Sequence, residues 1–161
     1  MTNKHLTFAI FGNSFQPRKS QSLMRVLDFL RSKGASIIFD RTFYDFLTAE
    51  QNQELGEVGT FEGDDFNADY VISMGGDGTF LKAAVRVGIK SIPLIGINMG
   101  RLGFLADVLP GEVETALQAV LEGNYNIEEH TAIQISTNGG DFDGCHYALN
   151  DIAVLKRDIA S

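Results

Sequence analysis

A single aspartate, Asp77, stands among three glycines in the run Ile72-Ser73-Met74-Gly75-Gly76-Asp77-Gly78-Thr79-Phe80. A carboxylate in a segment cleared of side chains can accept a proton from a hydroxyl, or help hold a magnesium ion beside phosphates. The run lies between an apolar, strand-like stretch and a helix-like one. In an open parallel sheet, ligands bind at such strand-to-helix junctions. The helix start there supplies unpaired N–H groups and the positive end of a dipole. Gly75, Gly76 and Gly78 are expected to adopt positive φ and to let a ligand approach the backbone. Thr79 is expected to cap the helix and to donate to a phosphate. Gly75, Gly76 and Thr79 are therefore the candidate phosphate-binding residues, and Asp77 is the candidate catalytic group. The plainer alternative makes Asp77 a turn residue that caps the helix. The string is neither a Walker A loop nor a G-x-G-x-x-G dinucleotide fingerprint. Lys82 and Arg86 lie one helical turn apart behind it. Lys82 is near enough to reach a bound phosphate; a solvated helix face is the alternative for both.

The elements that would carry this turn are legible from periodicity. Short apolar runs at 6–11, 36–39, 70–74 and 93–97 read as strands. Between them, Leu23, Val26, Leu27 and Leu30 recur at helical spacing up to a stop at Gly34. A short helix is expected over 43–47 and another over 80–87, stopped by Gly88. Residues 98–107 read as a loop, and Pro110-Gly111 opens a helix that ends at Gly123. Residues 50–69 are acidic and aperiodic. They read as a loop, either a solvated surface segment or a lid over the site. Strands that alternate with helices imply an α/β fold with a parallel sheet covered on both faces.

After Gly123 the texture changes. Residues 125–128 and 131–136 alternate, Asn138-Gly139-Gly140-Asp141 is a hairpin signal, and 147–155 read as a further strand. A boundary is expected near Asn124, with an α/β domain over 1–123 and the start of a β-rich domain over 124–161. So few strands do not close a core, and the chain is expected to be a fragment.

Composition narrows the function classes. A net charge of −8 opposes a broad nucleic-acid footprint, whereas backbone donors can still hold a phosphorylated small molecule. No apolar run is long enough to span a bilayer, and the N-terminus does not read as a signal peptide. Cys145, the only cysteine, excludes an internal disulfide and a cysteine-based zinc site, and fits a reducing, cytoplasmic compartment. His5, His130 and His146 are scattered, without i, i+4 spacing on a helix. Adjacent Cys145 and His146 would point to opposite faces of a strand, so no metal site is assigned.

Three blocks in order carry a resemblance: Gly75-Gly76-Asp77-Gly78-Thr79, then Gly96-Ile97-Asn98-Met99-Gly100-Arg101-Leu102-Gly103-Phe104-Leu105, then Ala148-Leu149-Asn150-Asp151. Together they resemble the NAD kinases. The first block is shared with diacylglycerol and sphingosine kinases, and similar strings occur in phosphofructokinases. The second block is more specific, because lipid kinases carry a different, proline-rich loop there. The resemblance covers most of the chain and implies a Rossmann-like sheet followed by the first strands of an incomplete all-β domain. It implies transfer of the γ-phosphate of ATP to the adenosine-ribose 2′-hydroxyl of NAD, giving NADP, with magnesium accompanying the ATP. It makes Asp77 the proton acceptor and places Gly78, Lys82, Phe104, Asn150 and Asp151 in the NAD site. Asp151 stands where many members have glutamate, one methylene longer. Phe104 either packs on the adenosine or fills the core. The resemblance further implies a homo-oligomer in the full-length protein, and little or no activity in a fragment. A lipid kinase, or a nucleotide-binding module without catalysis, is the alternative.

Overall fold

The computed structural model describes residues 5–13, 20–100, 103–136 and 147–149. Five parallel strands form the main sheet: β1 (Thr7–Gly12), β2 (Ser36–Asp40), β3 (Gly59–Phe61), β4 (Tyr70–Gly75) and β5 (Leu94–Asn98), in the order β3-β2-β1-β4-β5. The helices are α1 (Ser20–Ser32), α2 (Arg41–Asp45), α3 (Asp77–Val87) and α4 (Val113–Glu122). A π-helical turn, Phe46–Glu50, continues α2.

Strand alternation divides the core into two faces. Phe8 and Ile10 of β1, Phe39 of β2 and Ile72 and Met74 of β4 pack with Leu23, Val26, Leu27 and Leu30 of α1 and Val113 and Leu117 of α4. These four α1 residues are the ones whose spacing predicts the helix. The other face packs small residues under α3, with the Phe11, Phe61 and Phe66 rings beside them. Ala9 and Val71 meet Ala83 and Val87 of α3. Two glycines bring the start of α3 down onto this face. A Cβ at Gly75 would overlap the Thr79 side chain, and one at Gly96 would lie 2.9 Å from the Phe80 ring. Real Cβ contacts do not come that close, so glycine at 75 and 96 sets the height of α3 above the sheet.

The acidic segment departs from the sequence expectation. It contains strand β3, which pairs with β2 at the sheet edge (Ile38 with Gly59, Phe39 with Thr60, Asp40 with Phe61). Leu55, Phe61 and Phe66 are buried. Phe61 and Phe66 stack at 4.5 Å between centroids, and each meets Phe11 edge-on at 5.3 and 5.6 Å. Arg31 donates to the Leu55 carbonyl and Arg86 to the Gly63 carbonyl, and Arg86 also pairs ionically with the Asp64 carboxylate. A segment pinned by aromatics and two arginines is part of the core edge and does not form a lid. The expected strand at 125–128 is also absent. With no neighbouring strand among the described residues to pair with, Ile127 is exposed and Tyr125 is held by its hydroxyl, 3.0 Å from that of Tyr70.

Beyond this stretch, β6 (Ala132–Gln134) pairs antiparallel with β7 (Tyr147–Leu149). The Tyr147 ring rests against Gly88 at the end of α3. The expected turn at 138–141, the Cys145-His146 pair and the remainder of the strand expected to reach 155 lie outside the described residues.

Candidate active site

The order β3-β2-β1-β4-β5 means that the chain winds outward from β1 in one direction and then returns across it to build β4 and β5. The switch point therefore lies between the carboxyl ends of β1 and β4, where an open α/β sheet leaves a crevice. Gly12 ends β1 on one side, in register with Met74 of β4. The Gly75–Thr79 turn ends β4 on the other. The sequence thus delivers its one glycine-wrapped carboxylate to the place where this fold binds ligands.

The turn is built without left-handed backbone. Gly75, Gly76 and Gly78 are absent from the positive-φ residues, which corrects the expectation from sequence. Their value lies in space. Gly75 makes room for Thr79, whereas a Cβ at Gly76 or Gly78 would meet nothing within 4 Å. The surface over Gly76 and Gly78 is open to a ligand, and the Gly78 N–H belongs to the first turn of α3, whose donors have no partner within the helix. Gly76 is the residue that caps the helix, not Asp77 or Thr79. Its carbonyl accepts from the Thr79 N–H at 3.0 Å and the Phe80 N–H at 3.1 Å. Thr79 is buried with its side chain against Gly75. Its expected role as the helix cap is therefore not that of the structure.

Asp77 opens α3 and points into the 103–106 loop. The Phe104 N–H donates to Oδ2 at 2.9 Å, and the Leu105 and Ala106 N–H groups donate to Oδ1 at 3.0 and 3.2 Å. The Phe104 and Leu105 N–H groups foremost, with Ala106, hold the Asp77 carboxyl below an aspartate's ordinary 3.8, while partial burial pushes the other way. The carboxylate is ionised at neutral pH. A carboxylate has about four lone-pair directions. Oδ1 commits two and Oδ2 one, so Oδ2 retains a direction uncommitted among the described residues.

Gly103 lies directly beneath this carboxylate. Phe104 is 100% exposed, so the core-filling alternative is excluded and its ring is available to a ligand. Lys82 is exposed on α3 and makes no ion pair among the described residues. Arg86, one turn on, faces the sheet edge, bonds Asp40 at 3.0 Å and lies over the Phe11 ring at 5.3 Å. It belongs to the fold and not to the site. Asn150 and Asp151 lie outside the described residues.

Sequence reasoning missed Asn98. This residue ends β5, is 1% exposed, and holds the loop through its side chain and its backbone. Its signal was a polar residue terminating the apolar run Pro93-Leu94-Ile95-Gly96-Ile97 at the carboxyl edge of the sheet.

The geometry can be set beside known proteins. A protein of Bacteroides fragilis named NAD kinase is 46% identical over 156 residues, which cover 97% of this chain and 54% of that protein. One of Porphyromonas gingivalis with the same name is 35% identical over 153 residues, covering 95% of this chain and 52% of that protein. The chain spans about half the length of the curated relatives it matches. Its fold is similar to the crystal structure of yeast NADH kinase complexed with NADH, with a TM-score of 0.70 at 15% identity, over 92% of this chain and 47% of that one. Residues 8–125 match the family described as the ATP-NAD kinase N-terminal domain, and the chain belongs to that family.

Proposed function

We propose that this chain carries the catalytic carboxylate and part of the nucleotide site of an NAD kinase. In this reading the 2′-hydroxyl of the adenosine ribose of NAD meets Asp77 Oδ2. Its oxygen attacks the γ-phosphorus of ATP, the bond from that phosphorus to the β,γ-bridging oxygen breaks, and ADP leaves. The hydroxyl proton passes to Asp77 as the new P–O bond forms. Phosphoryl transfer has a loose transition state, so positioning and charge neutralisation dominate. A weakly basic but firmly held aspartate suits that demand.

The observation that carries the reading is the Asp77 carboxylate itself. It sits just past the carboxyl end of β4 beside open glycine backbone, gripped by three N–H groups of the loop that also presents the Phe104 ring. Phe104 would pack on the adenosine, Gly76 and Gly78 would lie under phosphates, and Lys82 would neutralise phosphate charge. Asn150 and Asp151 would complete the NAD site from a β-rich unit that starts near Asn124. In this reading magnesium arrives on the ATP phosphates as part of the donor.

The test is NADP formation from NAD, ATP and magnesium. It is run on this chain and on a chimera joining the chain to the portion of the Bacteroides fragilis relative outside the match. The chimera should make NADP, and Asp77→Asn should abolish it while circular dichroism and a cooperative unfolding transition show that the variant is folded. A folded chimera that binds neither NAD nor ATP, or binds both without turnover while the relative turns over, would overturn the reading.

A further inference from the structure

We propose that Asn98 is a positioning residue for Asp77: its buried carboxamide pins both ends of the loop after β5, and thereby fixes the three peptide N–H groups that grip the carboxylate. The catalytic consequence rests on Asp77 being the reacting group; the pin itself does not.

The geometry runs through a single residue. Asn98 Nδ2 donates to the Ala106 carbonyl at 3.1 Å, while the Ala106 N–H donates to Asp77 Oδ1 at 3.2 Å. Ala106 is fully buried, so its two peptide groups have little freedom to reorient separately. At the other end of the loop, Asn98 Oδ1 accepts from the Gly100 N–H at 2.8 Å. The backbone reinforces the closure. The Asn98 N–H donates to the Val108 carbonyl at 2.8 Å, the Val108 N–H to the Gly96 carbonyl at 3.1 Å, and the Met99 N–H to the Gly75 carbonyl at 3.0 Å. The loop is thus stitched to β5 on one side and to the end of β4, two residues before Asp77, on the other.

Chemistry explains why this position takes asparagine. The site demands one donor and one acceptor on the same short side chain, and a carboxamide supplies both. An aspartate of the same shape would turn a second acceptor toward the Ala106 carbonyl. An alanine would leave the carbonyl of buried Ala106 without its partner, at that group's desolvation cost, and would release the exposed Gly100 N–H to solvent. Either change loosens the loop at its fixed points, and the described residues of the loop meet Asp77 through N–H groups whose direction depends on backbone placement. Loss of Asn98 should therefore be felt at Asp77 without touching it.

The experiment reads Asp77 directly. The Asp77 carboxyl titration is followed by carbon NMR, with amide exchange at Phe104, Leu105 and Ala106, in this chain, in Asn98→Ala and in Leu117→Ala. Leu117 is a buried core residue of α4 and controls for a general loss of stability. In Asn98→Ala the Asp77 titration should move up toward the ordinary aspartate range, and exchange at the three amides should quicken by about tenfold or more. Leu117→Ala should leave the titration where it is. The proposal is overturned if Asn98→Ala is folded and both readouts match the parent, or if Leu117→Ala moves Asp77 as far. If Asn98→Ala does not fold, through-hydrogen-bond couplings in the parent decide. Couplings from the Asn98 side-chain amide to the Ala106 carbonyl and from the Leu105 N–H to the Asp77 carboxyl carbon should both be present, and their absence overturns the pin. None of these readouts uses turnover. A chimera that makes no NADP therefore removes the kinase reading and leaves the pin, whereas unmoved titration beside normal turnover removes the pin alone.

Discussion

Gly103 and Asp77 occupy adjoining space so closely that a methyl group on the first would stand inside the carboxylate of the second. One residue farther on, Phe104 donates its N–H to the same carboxylate. The second glycine-rich block of the sequence therefore acts on the first one. The loop closes over Asp77 because position 103 has no side chain.

Gly103→Ala should separate the loop from Asp77 without altering either functional side chain. The Phe104 and Leu105 N–H groups would be displaced, and the Asp77 titration should rise toward 3.8. A misplacement of about 1 Å at a reacting group costs on the order of 100-fold in rate, and that is the loss expected in the chimera. Carbon NMR of the carboxyl and steady-state NADP formation check the two halves. Normal turnover in a folded Gly103→Ala protein would show that the contact is incidental.

Gly96→Ala probes the packing beneath. Its Cβ would lie 2.7 Å from the Ala106 Cα and 2.9 Å from the Phe80 ring. Neither can retreat: Ala106 is held by Asn98 and Asp77, and Phe80 belongs to the first turn of α3. Overpacking of a filled site costs about 1–3 kcal/mol. Urea unfolding should register that loss, and amide exchange should place the loosening at α3 and the 103–106 loop.

How far the sequence reached depends on the range of the interaction. Leu23, Val26, Leu27 and Leu30 announced α1 because helical spacing is a local property, and the four apolar runs announced β1, β2, β4 and β5 for the same reason. Strand β3 did not announce itself. It is three residues long in an acidic stretch, and only Phe61 and Phe66, aromatics in otherwise polar surroundings, hinted that the segment returns to the core. The glycines around Asp77 are legible as a special backbone segment, but positive φ is not what selects them. Positive φ and close packing both select glycine, and only tertiary contacts separate them. Asn98 is marked in the sequence only as a polar residue ending an apolar run; its partners, Ala106 and Gly100, are set by how the loop folds back.

Two basic residues on α3 should respond to substitution in opposite ways. Arg86→Met removes a guanidinium bonded to the largely buried Asp40 and to the Gly63 carbonyl. Hydrogen bonds to charged groups contribute about 1.5–3 kcal/mol, so stability should fall by about that amount. Proteolysis should begin within 50–69, with nucleotide binding unchanged. Lys82→Met, at an exposed position, should leave stability within about 0.5 kcal/mol and weaken ATP or NAD binding by about tenfold. Calorimetric titration and limited proteolysis together check the contrast. If Lys82→Met binds normally, Lys82 is a surface lysine and leaves the proposed site.

Acid should reveal the grip on Asp77. Its folded carboxyl titrates below the ordinary 3.8, because the Phe104, Leu105 and Ala106 N–H groups favour the ionised form. A group depressed in this way contributes stability that is fully present above its unfolded value and is lost as pH falls through its folded value. Asp77→Asn cannot ionise, so the stability difference between the parent and Asp77→Asn should be constant from neutral pH down to about 5. It should then shrink below about pH 4 as the parent carboxylate takes up its proton. Denaturant unfolding of both proteins at a series of pH values measures this difference. A gap that keeps its full size down to pH 2 would mean that the protonated carboxyl accepts from the N–H groups as well as the carboxylate does. In that case charge plays no part in holding the loop.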